Sequence, residues 1–158
     1  MKSTKPALLA IGLAALGLLG VGLYQQHVQE MFPCPYCVLQ RYAFFAIAAF
    51  SLAAAALPPR AARIGAGLGL LSALTGIGLA ARLVWIQAHP SVSCGIDPLE
   101  TALNKIPSAK LMPWLFRADG FCTTEYPPLL GLSTPQWALV WFVILALALG
   151  WAVLRRPR

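Results

Sequence analysis

Residues 34–57 read CPYCVLQRYAFFAIAAFSLAAAAL, a Cys-x-x-Cys pair followed by an apolar segment in which Arg41 is the one charged residue. About 20 apolar residues are enough for a helix to cross the hydrocarbon core of a bilayer, which is about 30 Å thick. Pro35 suits the first position of such a helix, because its missing N–H would have no partner there. The stretch therefore predicts a membrane-spanning helix with Cys34 as its N-cap and Cys37 in its first turn.

The whole chain has the composition of an integral membrane protein. Of its 158 residues, 59% are hydrophobic and 11% are charged, whereas an ordinary soluble domain has about 25% charged residues. Three more apolar runs reach spanning length. We therefore predict an all-α membrane protein, a four transmembrane helix bundle forming one domain over residues 1–158. Its spans would lie at about 7–25, 38–57, 64–87 and 135–154.

Positive charges gather on one side of these spans. Seven cations flank that side: Lys2, Lys5, Arg60, Arg63, Arg155, Arg156 and Arg158. The positive-inside rule makes it cytoplasmic, so both termini are predicted inside and the loops at about 26–37 and 88–134 face the periplasm of a bacterial inner membrane. Because the net charge of +7 arises from these flanking clusters, the lipid bilayer is the expected partner, and no nucleic acid is expected.

All four cysteines fall on the predicted outer side. Cys34 and Cys37 close the first loop, and Cys94 and Cys122 lie in the second. The periplasm is oxidising, so two disulfides are permitted there. Four cysteines allow three pairings, and their spacing does not choose among them.

Cys37 has two neighbours that would stabilise a thiolate, the form of cysteine that exchanges disulfides. One is the positive end of the helix dipole, and the other is Arg41, four residues on and on the same helix face. At the membrane edge, Arg41 is also placed to donate hydrogen bonds to a carbonyl oxygen of a lipid-soluble acceptor. The alternative is a simple interfacial arginine.

Other uses of the cysteines fit the pattern less well. Inert structural disulfides need no arginine beside them. Structural zinc sites prefer two close pairs, but 27 residues separate Cys94 from Cys122, so no metal is predicted. Haem attachment requires a histidine after the second cysteine of the motif, where this chain has Val38. The chain also lacks the βαβ pattern of a thioredoxin fold.

The second outer loop is long enough to have a function of its own. Asp97-Pro98-Leu99-Glu100 predicts a short helix capped by Asp97, which Pro107 would end. The apolar segment at 111–116 either lies in the membrane interface or is buried against the bundle. Just before this loop, Arg82 either extends to the interface or supplies a second charge near the redox site.

Taken together, these features resemble the DsbB family of bacterial disulfide bond formation proteins over nearly the whole chain. The motifs that carry the resemblance are Cys34-Pro-Tyr-Cys37 with Arg41, residues 81–87 (ARLVWIQ), Cys94-Gly95, Gly120-Phe121-Cys122 and residues 130–137 (LGLSTPQW). One departure stands out. Family members often have histidine where this chain has Leu83, which puts a proton-donating role at that position in doubt. The resemblance implies a membrane quinone as electron acceptor, and the departure leaves Arg41 as its main polar contact, with Arg82 a weaker candidate.

The resemblance implies a thiol:quinone oxidoreductase with two redox-active disulfides, Cys34–Cys37 and Cys94–Cys122. A reduced periplasmic DsbA-like oxidase would attack Cys94, and Cys122 would then exchange with Cys34. Cys37, helped by Arg41, would pass the electrons to ubiquinone or menaquinone.

Two other functions stay open at this point. A vitamin K epoxide reductase-like enzyme also combines a helical bundle, a Cys-x-x-Cys motif and a quinone, although its active pair would be expected late in the bundle. A non-catalytic membrane subunit whose loops are held by disulfides would need no acceptor at all.

Overall fold

The computed structural model describes residues 4–89, 98–124 and 126–154. The helices run, in chain order, over Lys5–Val28 (α1), Pro35–Ala56 (α2), Pro59–Ala88 (α3), Pro98–Lys105 (α4), Pro107–Leu111 (α5), Pro113–Phe116 (α6) and Thr134–Leu154 (α7). Within those residues there is no strand, only an isolated bridge between Leu129 and Leu132. Helices α1, α2, α3 and α7 are long and apolar enough to cross a membrane. The predicted all-α membrane fold is confirmed.

Helix α2 is the central element of the bundle. It packs against α1 on one side and α3 on the other, and α3 packs in turn against α7. The Phe44 and Phe142 rings stack with centroids 4.0 Å apart, and Gly76 lets α3 approach the Phe142 ring so closely that a Cβ would overlap it. The outward faces remain apolar, as at Leu147, which is 70% exposed. Such a surface suits lipid rather than water.

The helix ends show where proline and capping decide the boundaries. Helix α3 begins at Pro59 with Pro58 as its N-cap, five residues before the predicted span, because proline is well suited to the first helical position. Its early residues Arg60 and Arg63 are exposed. Helix α7 begins at Thr134, one residue before the predicted span. The Ser133 N–H donates to Gln136 Oε1 at 2.8 Å, the reciprocal half of a capping box.

Helices α4, α5 and α6 fold over the outer end of α2. Tyr42 of α2 stacks on Phe116 at 4.2 Å between ring centroids, and its hydroxyl lies 2.5 Å from the Ser108 hydroxyl. The apolar segment at 111–116 was predicted to lie in the membrane interface or to be buried against the bundle, and its residues show both environments. Leu111 and Trp114 are 79% and 49% exposed, whereas Leu115 and Phe116 are buried against α2. Helix α4 begins at Pro98, but the proposed cap Asp97 lies outside the described residues.

Candidate redox site at the outer end of the bundle

Cys34 and Cys37 are positioned by the start of α2. Cys34 is the N-cap in extended conformation, as predicted, and its sulfur accepts a hydrogen bond from the Cys37 N–H at 3.3 Å. This bond satisfies one of the N–H groups that the first helical turn leaves without a partner. The two sulfur atoms lie 2.7 Å apart. The cap geometry therefore holds the two sulfur atoms next to each other.

Cys122 is brought to Cys34 by the second outer loop. The two cysteines are buried in one apolar cluster with Leu83 and Ile86. The loop is held by its backbone, since the N–H groups of Asp119 and Gly120 both donate to the carbonyl oxygen of Pro33 at 3.1 Å. These bonds join the segment that precedes Cys122 to the residue that precedes Cys34. The structure thus places three of the four predicted cysteines together, while Cys94 lies outside the described residues.

The environment of Cys34 favours its neutral thiol. Hydrogen bonding with the Cys122 sulfur raises the pKa of Cys34, and contact with Cys37 and burial act in the same direction. Only 3% of the residue is exposed.

Arg41 is buried and links three parts of the chain. Its Nη1 donates to Gln26 Oε1 at 2.6 Å and to the Leu115 carbonyl at 2.9 Å, and its Nη2 donates to the Gly22 carbonyl at 3.2 Å. These bonds connect α2 to α1 and to α6. A guanidinium has five N–H groups, so within the described residues its Nε–H and one Nη2–H remain for another acceptor.

A cavity of about 400 Å³ lies beside the cysteines, and its volume falls within the range of small-molecule sites. Its wall is mainly apolar and comes from α1, α2, the end of α3, α7 and the outer loops. Its polar and sulfur-bearing members include Cys34, Cys37, Gln40, Arg41, Gln87 and Cys122. The cavity has the composition expected for an apolar ligand that is fixed by a few polar groups.

The structure separates the remaining candidates. Arg82 is exposed and lies over the Trp85 ring, 4.5 Å from its centroid, and it does not line the cavity. This position favours the interfacial interpretation of Arg82. Leu83 is 1% exposed and forms part of the apolar wall behind Cys34 and Cys122, so this chain has no proton donor at that point.

Three residues of the site were assigned no role from the sequence. Gln26 gave no signal, because its partner Arg41 is 15 positions away in the chain. Gly120 was noted only as part of the Gly120-Phe121-Cys122 motif, and nothing in the sequence indicated its bond to Pro33. Gln40 is a polar residue within an apolar run, and this feature of the sequence could have identified it.

The fold and the site define a class of protein: a multi-pass membrane protein with clustered cysteines beside an apolar cavity. Residues 4–152 match the family model described as disulfide bond formation protein DsbB. The chain is 60% identical over 149 residues to disulfide bond formation protein B of Herminiimonas arsenicoxydans, with 94% of each chain covered. The protein of the same name from Ralstonia nicotianae is 50% identical, with 95% of this chain and 94% of that one covered. This chain belongs to the DsbB family.

Proposed function

We propose that this protein reoxidises a periplasmic DsbA-like dithiol oxidase and passes the electrons to a membrane quinone, thereby sustaining disulfide bond formation. The observation that carries the proposal is the convergence of Cys34, Cys37 and Cys122 at one cavity that Arg41 also lines. Disulfides that serve only as structural links need neither an adjoining cavity nor a buried guanidinium. This convergence favours a catalytic protein over a non-catalytic membrane subunit whose loops are held by disulfides.

The first exchange takes place in the second loop. A thiolate of the reduced partner attacks Cys94 in a Cys94–Cys122 disulfide, and Cys122 leaves. The partner's second thiol then breaks the mixed disulfide, which leaves the partner oxidised and both loop cysteines reduced. Two electrons and two protons have moved to this protein.

The second exchange carries these electrons to the start of α2. The Cys122 thiolate attacks Cys34 in a Cys34–Cys37 disulfide, and Cys37 leaves as a thiolate beside the α2 N-terminus and Arg41. Cys94 then attacks Cys122, which restores the loop disulfide and releases Cys34 as a thiol. The burial of Cys34 against Cys122 supports this route, because exchange requires the two sulfurs to meet.

The residues of the cavity fit a quinone, whether ubiquinone or menaquinone. The apolar wall suits a flat ring with a hydrocarbon tail, and the remaining N–H groups of Arg41 suit a carbonyl oxygen. When bound, a quinone accepts two electrons and two protons, and the Cys34–Cys37 disulfide re-forms. Arg41 orients the ring and balances negative charge near Cys37, while Leu83 and Ile86 exclude water from the sulfurs.

The redox potentials explain why such an acceptor is needed. A DsbA-type oxidase has a potential near −120 mV, whereas glutathione couples lie at about −200 mV and therefore cannot reoxidise it. The acceptor must be more oxidising and must reach the thiols from the lipid. The cavity at the outer end of α2 meets the second requirement, because a lipid-soluble acceptor can reach the thiols there.

The charge distribution supports the orientation in the inner membrane that this function requires. Lys5 begins α1, while Arg60 and Arg63 begin α3, and in this antiparallel bundle those starts lie at the end opposite the cysteines. By the positive-inside rule this end is cytoplasmic. Both termini are then cytoplasmic, and the active cysteines are periplasmic.

Quinone reduction by the purified full-length protein in lipid nanodiscs tests the proposal. With reduced DsbA and a short-chain ubiquinone, the wild-type protein is expected to reduce quinone and oxidise DsbA in a one-to-one ratio, and Cys37→Ser is expected to do neither catalytically. A wild-type rate in Cys37→Ser would overturn the assignment. If the wild-type protein reduces vitamin K epoxide but does not oxidise DsbA, the epoxide reductase-like alternative is correct.

A further inference from the structure

Gln40 is a buried amide with an unused donor. The residue lines the cavity and is 5% exposed, and its Nε2 has no hydrogen-bond partner among residues 4–89, 98–124 and 126–154. A buried N–H group without a partner costs free energy, because it has lost its bonds to water. Such a group at a cavity wall is satisfied when a ligand supplies an acceptor.

Ser51 shows that burial alone does not indicate a ligand. Its hydroxyl is the other buried side-chain atom without a partner in the described part of the chain. Ser51 lies about three turns further along α2, close to Gly69 of α3, and is not part of the cavity wall. Gln40 combines the missing partner with a place in the site, and Ser51 has only the first of these properties.

The helix geometry places Gln40 beside the reactive thiol. At 3.6 residues per turn, the residues three and four positions after Cys37 lie on the same helix face, on either side of it. These residues are Gln40 and Arg41, and all three line the cavity. A ring that lies against Cys37 therefore has a neutral donor on one side and a charged donor on the other.

We propose that the Gln40 side-chain amide donates a hydrogen bond to a carbonyl oxygen of the bound quinone and so fixes the ring over Cys37. Gln40 is then a quinone-binding residue in addition to Arg41. The inference rests on the proposed function, and it makes a separate claim about which atoms hold the acceptor. The Gln40 amide would also favour acceptors that carry a ring carbonyl, since it cannot donate a hydrogen bond to a ring without an acceptor atom.

Infrared difference spectroscopy of a short-chain ubiquinone labelled with ¹³C at its carbonyls tests this contact directly. The variants are Gln40→Met, which keeps the length of the side chain without a donor, and Gln40→Leu as a second apolar replacement. In full-length protein in nanodiscs, both are expected to move a carbonyl band to higher frequency and to weaken quinone binding about three- to tenfold, the usual range for one lost hydrogen bond. Ser51→Ala, the matched control, is expected to change neither.

The possible outcomes separate the two proposals. Disulfide exchange with reduced DsbA, followed in the absence of quinone, is expected to stay at the wild-type rate in both Gln40 variants and so shows that they are folded. If the variants keep the wild-type carbonyl band and affinity, the role of Gln40 is refuted while quinone reduction stands. If the wild-type protein binds no quinone, the proposed function and the role of Gln40 both fail.

Discussion

The backbone N–H of Gly120 donates to the carbonyl oxygen of Pro33 at 3.1 Å, so the loop that carries Cys122 is bonded to the segment that carries Cys34. A Cβ at Gly120 would overlap the Phe32 carbonyl. The close approach of two backbone segments therefore requires glycine at this position.

Gly120→Ala is expected to slow electron transfer between the two disulfides. The added methyl group pushes the loop away from Phe32 and separates Cys122 from Cys34. We expect the exchange to slow by about tenfold, which corresponds to an increase of about 1.4 kcal/mol in its activation free energy. Rapid mixing with reduced DsbA, acid quenching and mass mapping of the disulfides measure the step. Gly78→Ala is the control, because nothing lies within 4 Å of a Cβ there. Equal rates in the two variants would contradict the role of Gly120.

The reactivity of Cys34 is expected to depend on Cys122. In the fully reduced protein, hydrogen bonding to Cys122 is the largest cause that raises the Cys34 pKa above its ordinary value of 9.0. Replacing Cys122 with alanine lowers the pKa toward that value and should increase alkylation of Cys34 by N-ethylmaleimide at pH 8. Mass spectrometry after timed labelling measures the rate. An unchanged rate would show that Cys122 does not influence the thiol.

The same shift gives a pH dependence of stability with a defined sign. Because the folded-state pKa of Cys34 is raised, its contribution to the stability of the reduced protein is complete below pH 9.0 and is lost progressively as the pH rises from there toward the folded-state value. Thermal unfolding of the reduced protein between pH 7 and pH 10 is expected to show a steeper loss of stability than that of Cys34→Ala. Parallel curves for the two proteins would argue against the shift.

The sequence predicted the parts of this structure that depend on local chemistry. Membrane thickness fixes the length of an apolar helix, and proline fixes its first turn, so the four long helices and the Cys34 cap could be predicted. The meeting of Cys122 with Cys34 depends instead on backbone bonds from Asp119 and Gly120 to Pro33. The periodicity of apolar residues carries no information about such bonds. The three bonds of Arg41 also join distant segments, and the sequence indicated only its position relative to Cys37.

The contact between α3 and α7 gives a stability prediction. Gly76 faces the Phe142 ring, which is fully buried and stacks on Phe44. In Gly76→Ala the methyl group must displace that ring, which we expect to cost about 1–3 kcal/mol, as for other overpacked cores. Thermal unfolding in detergent measures the loss, and Gly78→Ala on the same helix is expected to be neutral or slightly stabilising. If both alanine variants unfold at the wild-type temperature, the contact is looser than the structure indicates.

The last prediction concerns the shape of the Arg41 side chain rather than its charge. Its guanidinium donates to α1 and to α6 while further N–H groups remain beside the cavity. Lysine keeps the positive charge but offers a single ammonium, which cannot reproduce this planar set of donors. Arg41→Lys is therefore expected to raise the apparent KM for a short-chain ubiquinone about tenfold, as for the loss of one charge-assisted hydrogen bond, while the exchange between DsbA and Cys94 stays fast. Steady-state quinone reduction and quinone-free exchange measure the two steps separately. Arg82→Lys is the matched control, because Arg82 is exposed over Trp85 and lies outside the cavity wall. If Arg41→Lys had the KM of the wild-type protein, charge alone would account for the role of this residue, and the fixed donor geometry would be irrelevant to quinone binding.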